Sequence, residues 1–210
     1  MTRLAVLSVA LLLAPPVSRR APASRTPAQA TAYFAGGCFW GVEAVFEHVK
    51  GVTDAVSGFA TGADSAVNGP LRPGHTGYAE TVRVTYDPSQ VSYDQLLRIF
   101  FTVAHDPTEL DRQGPDVGAE YRSTVFYETD EQARATLAFM SGLAAAHTVE
   151  GSIVTEVVRL RQFSPAPAAH QDFMQHNPTA PYVVINDKPK IARLRHDFPA
   201  LFRDRGWVHI

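Results

Sequence analysis

The one cysteine of the chain, Cys38, lies in the run Phe34-Ala35-Gly36-Gly37-Cys38-Phe39-Trp40-Gly41. The apolar stretch from Thr31 to Ala35 reads as a strand, and two glycines then break it. Beyond the cysteine, Val42, Val45, Phe46 and Val49 recur at three- and four-residue steps, which is one helix face. Cys38 is therefore expected in the first turn of a helix. Unpaired backbone N–H groups and the positive end of the helix macrodipole point there. That setting favours a thiolate and predicts a depressed thiol pKa. Phe39 and Trp40 follow at once, so a reactive sulfur would face an apolar wall. A buried cysteine acting as a small hydrophobe fits the same position equally well.

Glu80 is the second group that could do chemistry. The segment from Ala79 to Tyr86 alternates, with Val82, Val84 and Tyr86 on one face and Thr81, Arg83 and Thr85 on the other. By parity Glu80 belongs to the apolar face. Desolvation there disfavours the charged carboxylate and raises its pKa, and a neutral carboxyl near neutral pH can donate a proton. The competing reading is a strand-end glutamate that swings into solvent. A polar segment from Asp106 to Arg122 is dense in hydrogen-bonding groups, but nothing in its spacing shows that it approaches the cysteine, and it lacks zinc-ligand spacing. None of the eight histidines forms a recognised metal motif.

The elements that must hold these groups follow from periodicity. Val52 to Phe59 reads as a strand. Thr61 to Gly77 is a long loop with an Asn68-Gly69-Pro70 turn signal. Ser92 caps a helix to about His105, and Thr129-x-x-Gln132 resembles a capping box for a helix to about His147. Tyr121 to Glu128 and Ser152 to Arg159 read as further strands, and a short helix is expected from Ala168 to His176. The alternation predicts a two-layer α/β domain.

The bulk numbers bound the rest. The chain has 210 residues, is 45% hydrophobic and 19% charged, and carries a net charge of −2. This describes one globular domain with terminal extensions. No basic stretch interleaves with aromatics, so nucleic acid is not an expected partner. A single cysteine excludes an internal disulfide. No glycine-rich phosphate loop is present, so no nucleotide cofactor is indicated. Arg3, an apolar run from Leu4 to Ala14 and the small-x-small Ala28-Gln29-Ala30 describe a secretory signal. Residues 1–30 are thus expected to export the chain to the periplasm or beyond, either cleaved or kept as a tether.

The ordered motifs resemble the peptide methionine sulfoxide reductase A family. They are Phe34 to Glu43, Thr76-Gly77-Tyr78-Ala79-Glu80, Tyr86-Asp87-Pro88, Ser92-Tyr93, His105-Asp106-Pro107-Thr108, Arg112 to Gly118, Tyr121-Arg122-Ser123 and His170-Gln171. The resemblance covers about Thr31 to Pro178, leaving 179–210 as a C-terminal extension. It implies a two-layer α/β sandwich with a mixed sheet and a ferredoxin-like core, and a catalytic domain over 31–178. It implies that Cys38 attacks the sulfoxide sulfur of an S-sulfoxide, free or in a protein, and that Glu80 protonates the oxygen. Tyr121 would hold that oxygen, with Asp116 placing a water, while Phe39 and Trp40 receive the methyl group. Cys38 would be left as a sulfenic acid, with no metal or organic cofactor needed. A monomer is expected.

Four departures from the family pattern stand out. Later resolving cysteines are absent, so recycling would need an external thiol, from a thioredoxin-like protein or a small molecule. The usual Pro-Thr-Tyr before the glutamate is replaced by Asn68-Gly69-Pro70-Leu71-Arg72. The usual Gly-His-Ala-Glu is Gly77-Tyr78-Ala79-Glu80, and Tyr78 is the nearest phenol to stand in for the missing one. The acidic residue usual before His170 is also missing. The competing expectations are a diverged member that binds oxidised methionine without efficient turnover, and a Cys-His hydrolase with a histidine base beside Cys38.

Overall fold

In a computed structural model the chain is described over residues 29–63 and 77–207. The leader and most of the Thr61–Gly77 loop, including its Asn68-Gly69-Pro70 turn, lie outside the described residues. Seven strands and five helices are defined there: β1 (Ala30–Ala35), α1 (Phe39–Glu47), β2 (Val52–Gly62), β3 (Ala79–Tyr86), α2 (Tyr93–Ile99), β4 (Arg112–Gln113), β5 (Asp116–Val117), β6 (Thr124–Tyr127), α3 (Asp130–Ala145), β7 (Glu156–Pro165), α4 (Phe173–His176) and α5 (Lys188–Asp197).

The fold is mixed α/β, as the alternation predicts. Its main sheet runs β1-β3-β2-β7-β6, and β1 also pairs with β6, so the sheet closes into a barrel. All pairings are antiparallel except β6 with β7. Closure needs β1 to hydrogen-bond on both edges, a long-range choice that no local pattern reveals.

Strand parity sorts the core. Phe34, Val82, Val84 and Val125 face the helices and join Val42, Val45, Phe46, Leu96, Leu97 and Phe100 in the main cluster. Tyr33, Ala35, Ala60, Ala79 and Phe126 form a smaller cluster on the other face. Phe34 stacks between Phe46 (centroids 5.0 Å apart) and Phe100 (4.8 Å). Such pairs add roughly 0.5–1.5 kcal/mol each beyond the area they bury. They fix β1 against α1, and therefore fix the turn between them.

The expected Ser92 cap and Thr129 capping box both form, and Ser92 closes a full box with Gln95. The Ser92 hydroxyl accepts from the Gln95 N–H, and the Thr129 hydroxyl from the Gln132 N–H. Other expectations shift. Tyr121 lies in a 3-10 turn (Ala119–Tyr121) rather than in a strand, because Arg122 ties the turn down by donating to the carbonyls of Ala119 and Tyr78. The strand expected from Ser152 begins at Glu156 and runs on to Pro165. Val154 instead donates its N–H to the Pro107 carbonyl, and the Thr155 hydroxyl meets that of Ser123. The helix expected over 168–176 is split into a 3-10 turn (Ala168–His170) and α4, with Asp172 left-handed at φ 50° between them. The break is held by the Glu43 carboxylate, which accepts from the Asp172 N–H at 3.1 Å.

The segment after Pro178 adds a π-helical turn (Val183–Asp187) running into α5. Ile191 and Leu194 of α5 are fully buried in the main core.

Candidate active site

Cys38 caps α1, directly after the β1 turn. Gly37 has φ 89°, a conformation open to glycine. A Cβ there would also lie 2.5 Å from the Gln113 Cβ. Gln113 reads the backbone of Asp106 in both directions, accepting from its N–H at 2.7 Å and donating to its carbonyl at 3.0 Å. The polar segment whose position could not be derived from spacing is thus pinned beside the cysteine turn. It carries β4, β5 and the 3-10 turn, and with them Asp116 and Tyr121.

Glu80 arrives from β3. Its Oε2 accepts the Phe39 N–H at 3.1 Å, so the carboxyl sits against the residue next to Cys38. Burial pushes the Glu80 pKa up to about 7; the Phe39 N–H opposes this, while Asp116 and Glu120 add to it. The carboxyl is therefore partly neutral near pH 7.

Cys38 is buried, and its thiol pKa moves in the direction opposite to the one its helix-start position predicts. Burial pushes it well above the ordinary value, and Glu80 and Asp187 push it further. The Trp40 N–H and the Tyr182 hydroxyl pull the other way without offsetting them. Desolvation of the charged form outweighs a half-charge at a helix start when neighbouring carboxylates share the site.

The remaining candidates fall into place around this pair. Tyr121 is half-buried; burial, followed by Glu80 and Asp116, raises its pKa, so its hydroxyl stays a donor. Phe39 is buried and lies edge-on to His170 at 5.7 Å. Trp40 stacks on Phe173 at 3.6 Å and stands perpendicular to Tyr182 at 5.8 Å. Tyr78 is buried edge-on against Phe59, which is the cross-strand partner of Glu80. Of the histidines nearest this cluster, His105 has both ring nitrogens hydrogen-bonded, while the buried Nδ1 of His170 has no partner among the described residues. His105 binds the Phe100 carbonyl and the Ser123 hydroxyl, and His170 packs on Phe39 and Trp40.

A family model described as peptide methionine sulfoxide reductase matches residues 30–200. The chain belongs to this family. It is 51% identical over 180 residues to peptide methionine sulfoxide reductase MsrA 2 of Mesorhizobium japonicum, covering 85% of this chain and 92% of that protein. It is 46% identical over 172 residues to the MsrA of Halobacterium salinarum, covering 81% and 96%. Among solved structures, methionine sulfoxide reductase A of Corynebacterium diphtheriae aligns with a TM-score of 0.62 at 34% identity, over 74% of this chain and 78% of that one. Reduced Mxr1 of Saccharomyces cerevisiae aligns with a TM-score of 0.65 at 28% identity, over 72% and 87%.

Sequence reasoning did not single out Tyr182, whose hydroxyl acts on the Cys38 thiol. Tyr182 follows Pro181 in the segment read as a C-terminal extension. Its hydroxyl donates to Asp116 Oδ2 and also faces Cys38. No periodic signal could reveal a contact that spans 144 residues of sequence. We expect Tyr182→Phe to lower the Tm as well as kcat/KM, since the bond to Asp116 that it removes is a hydrogen bond to a charged group, worth about 1.5–3 kcal/mol of stability. Steady-state kinetics beside a thermal melt check this.

Buried carboxyls also set the pH dependence of the reductase's stability. Burial raises Glu43 to about 8, Glu47 to about 7, Glu80 to about 7 and Asp187 to about 6. Each folded-state pKa lies above the ordinary unfolded value near 4, so between about pH 4.5 and 8 the native state binds more protons than the unfolded one. Stability therefore falls as pH rises through that window. Thermal melts are expected to give a higher Tm near pH 5.5 than near pH 8.5; a flat profile would mean these groups are hydrated.

Proposed function

We propose that this reductase acts on methionine S-sulfoxide with Cys38 as nucleophile and Glu80 as proton donor, and that an external thiol recycles it. The single observation carrying this reading is the Phe39 N–H bond to Glu80 Oε2 at 3.1 Å, which sets a partly neutral carboxyl beside the sulfur.

Oxide is a poor leaving group, so the S–O bond breaks only as the oxygen is protonated. Cys38 sulfur bonds to the sulfoxide sulfur while Glu80 passes its proton to the oxygen. The proton given up by the thiol reloads Glu80. The hydroxyl group ends on Cys38 as a sulfenic acid, and methionine leaves as the sulfide. The cysteine sulfur is oxidised by two electrons and the substrate sulfur reduced by two. Tyr121 serves as hydrogen-bond donor to the substrate oxygen, with Asp116 ordering a water and Tyr78 as a further phenol near the acid. Phe39 and Trp40 receive the S-methyl group and select the S epimer.

One equivalent of external thiol then displaces water from the sulfenic acid to give a mixed disulfide, and a second releases Cys38. A thioredoxin-like protein or a small thiol fits this step, because the chain has no second cysteine. The protein works as a monomer. The leader, with its short apolar run, supports work outside the cytoplasm.

The test follows methionine release with dithiothreitol from the S and R epimers separately. Several turnovers on the S epimer alone are expected. Binding without release would leave a sulfoxide-binding module in place of an enzyme.

A further inference from the structure

We propose that Arg122 is a positioning residue of the reductase: its guanidinium holds the start of β3 to the 3-10 turn before β6, and so aims Glu80 and Tyr121 at one substrate oxygen. The need for such a clamp comes from the sheet. β1 lies between β3 and β6, paired with β3 as far as Phe34 opposite Val82 and with β6 as far as Ala35 opposite Thr124. It then leaves the sheet through Gly36 and Gly37 and becomes Cys38 and α1. β3 and β6 thereby lose their common neighbour at the end where the reacting groups stand. Among the described residues the start of β3 keeps strand pairing on its β2 side alone, with Phe59 opposite Glu80 and Ala60 opposite Ala79. Cys38 follows the strand that departs, Glu80 lies on one side of the opening, and Tyr121 comes from the other.

Arg122 spans that opening. Its Nη1 donates to the Tyr78 carbonyl at 2.6 Å, two residues before Glu80, and to the Ala119 carbonyl at 2.8 Å, two residues before Tyr121. Its Nε donates at 3.2 Å to Glu156 Oε2, at the start of β7, and the same oxygen accepts the Thr124 hydroxyl at 3.3 Å. One rigid plane therefore ties β3, the 3-10 turn and the β6–β7 pair to each other. The side chain is only 15% exposed, so water competes poorly for these bonds. Water could satisfy two carbonyls at a strand end. It could not fix the distance between two side chains that must meet the same atom, whereas a planar guanidinium is pre-organised to do so.

This inference rests on Glu80 and Tyr121 acting at the substrate oxygen, which Glu80→Gln and Tyr121→Phe test by themselves. Its own test assays the full chain on free methionine S-sulfoxide with dithiothreitol, so that no protein partner enters. Arg122→Ala should lower kcat about 100-fold, while KM and the rate of Cys38 alkylation by iodoacetamide stay within about twofold, because misplacement by about 1 Å costs alignment and little binding. An alkylation rate that moves in step with kcat would mean collapse of the whole site and overturns the proposal. Arg122→Lys keeps a cation beside Glu156 without the fork. It serves where Arg122→Ala does not fold, and its kcat should lie about tenfold below wild type. In a Glu80→Gln chain, adding Arg122→Ala should cost less than about tenfold, since part of what the clamp aligned is already gone. Wild-type kcat in either folded Arg122 variant, or the full loss repeated on top of Glu80→Gln, overturns the proposal. If Glu80→Gln and Tyr121→Phe slow reduction and the Arg122 variants do not, this inference falls alone and the roles of Glu80 and Tyr121 stand.

Discussion

The Cys38→Ser chain is expected to fold normally and to release methionine at less than about a thousandth of the wild-type rate. A serine hydroxyl at this position is not ionised and cannot take up oxygen as a sulfenic acid. No other cysteine exists to take over. The fold should survive because the two side chains are nearly isosteric. Serine is also a preferred residue at a helix N-cap, which is where Cys38 stands without a side-chain capping bond. The measurement pairs single-turnover methionine release with a thermal melt. A Tm equal to or above wild type, with no product, assigns the loss to chemistry. Residual turnover near wild type would remove Cys38 from the mechanism.

Glu80→Gln should cost about 10²- to 10⁴-fold in kcat/KM, the usual range for removing a general acid. The amide oxygen can still accept the Phe39 N–H, so the strand end and the cysteine turn stay in place. What is lost is the proton. The charge is lost too, and this produces a second, opposite effect. Glu80 is the largest charged contributor to the raised thiol pKa of Cys38. Its replacement should make the thiol more acidic, so iodoacetamide should react faster while sulfoxide reduction slows. A variant that merely disturbed packing would not divide the two rates in this way. The pH profile supplies the sign. Glu80 titrates at about 7 and donates only when protonated, so wild-type kcat/KM should fall as pH rises through about 7. In Glu80→Gln that fall should vanish. A wild-type rate that rises steadily from pH 6 to 8 would contradict an acid role.

Much of this site could be read in the chain before any coordinates. The strand-glycine-helix pattern placed Cys38 at a helix start because hydrophobic period changes there from two to about four. Parity alone put Glu80 on the face of Val82 and Val84; burial alternates from Val82 to Tyr86, whereas Ala79 and Thr81 on the other face are buried as well. The cap at Ser92 and the capping box at Thr129 are local hydrogen bonds, so they formed as written. Local pattern failed where a distant group outbid it. Glu43 broke the helix expected over 168–176 by taking the Asp172 N–H. Arg122 curled the start of the expected Tyr121 strand into a turn. Asp106 and Gln113 bonded across seven residues and brought the polar loop to Gly37, an approach no spacing rule encodes.

The amino-acid sequence by itself determined the reacting groups, the elements carrying Cys38 and Glu80, and the mixed α/β class. These depend on periodicity, parity and residue chemistry, which are properties of neighbours along the chain. Only the tertiary structure decided that β1 closes the sheet into a barrel and that Tyr182 and Asp187 return from the far end of the chain to Cys38. It also decided the sign of the thiol's shift. Desolvation and Coulomb fields depend on what surrounds an atom in space, and one helix start can favour a thiolate or a thiol according to which carboxylates the fold buries against it.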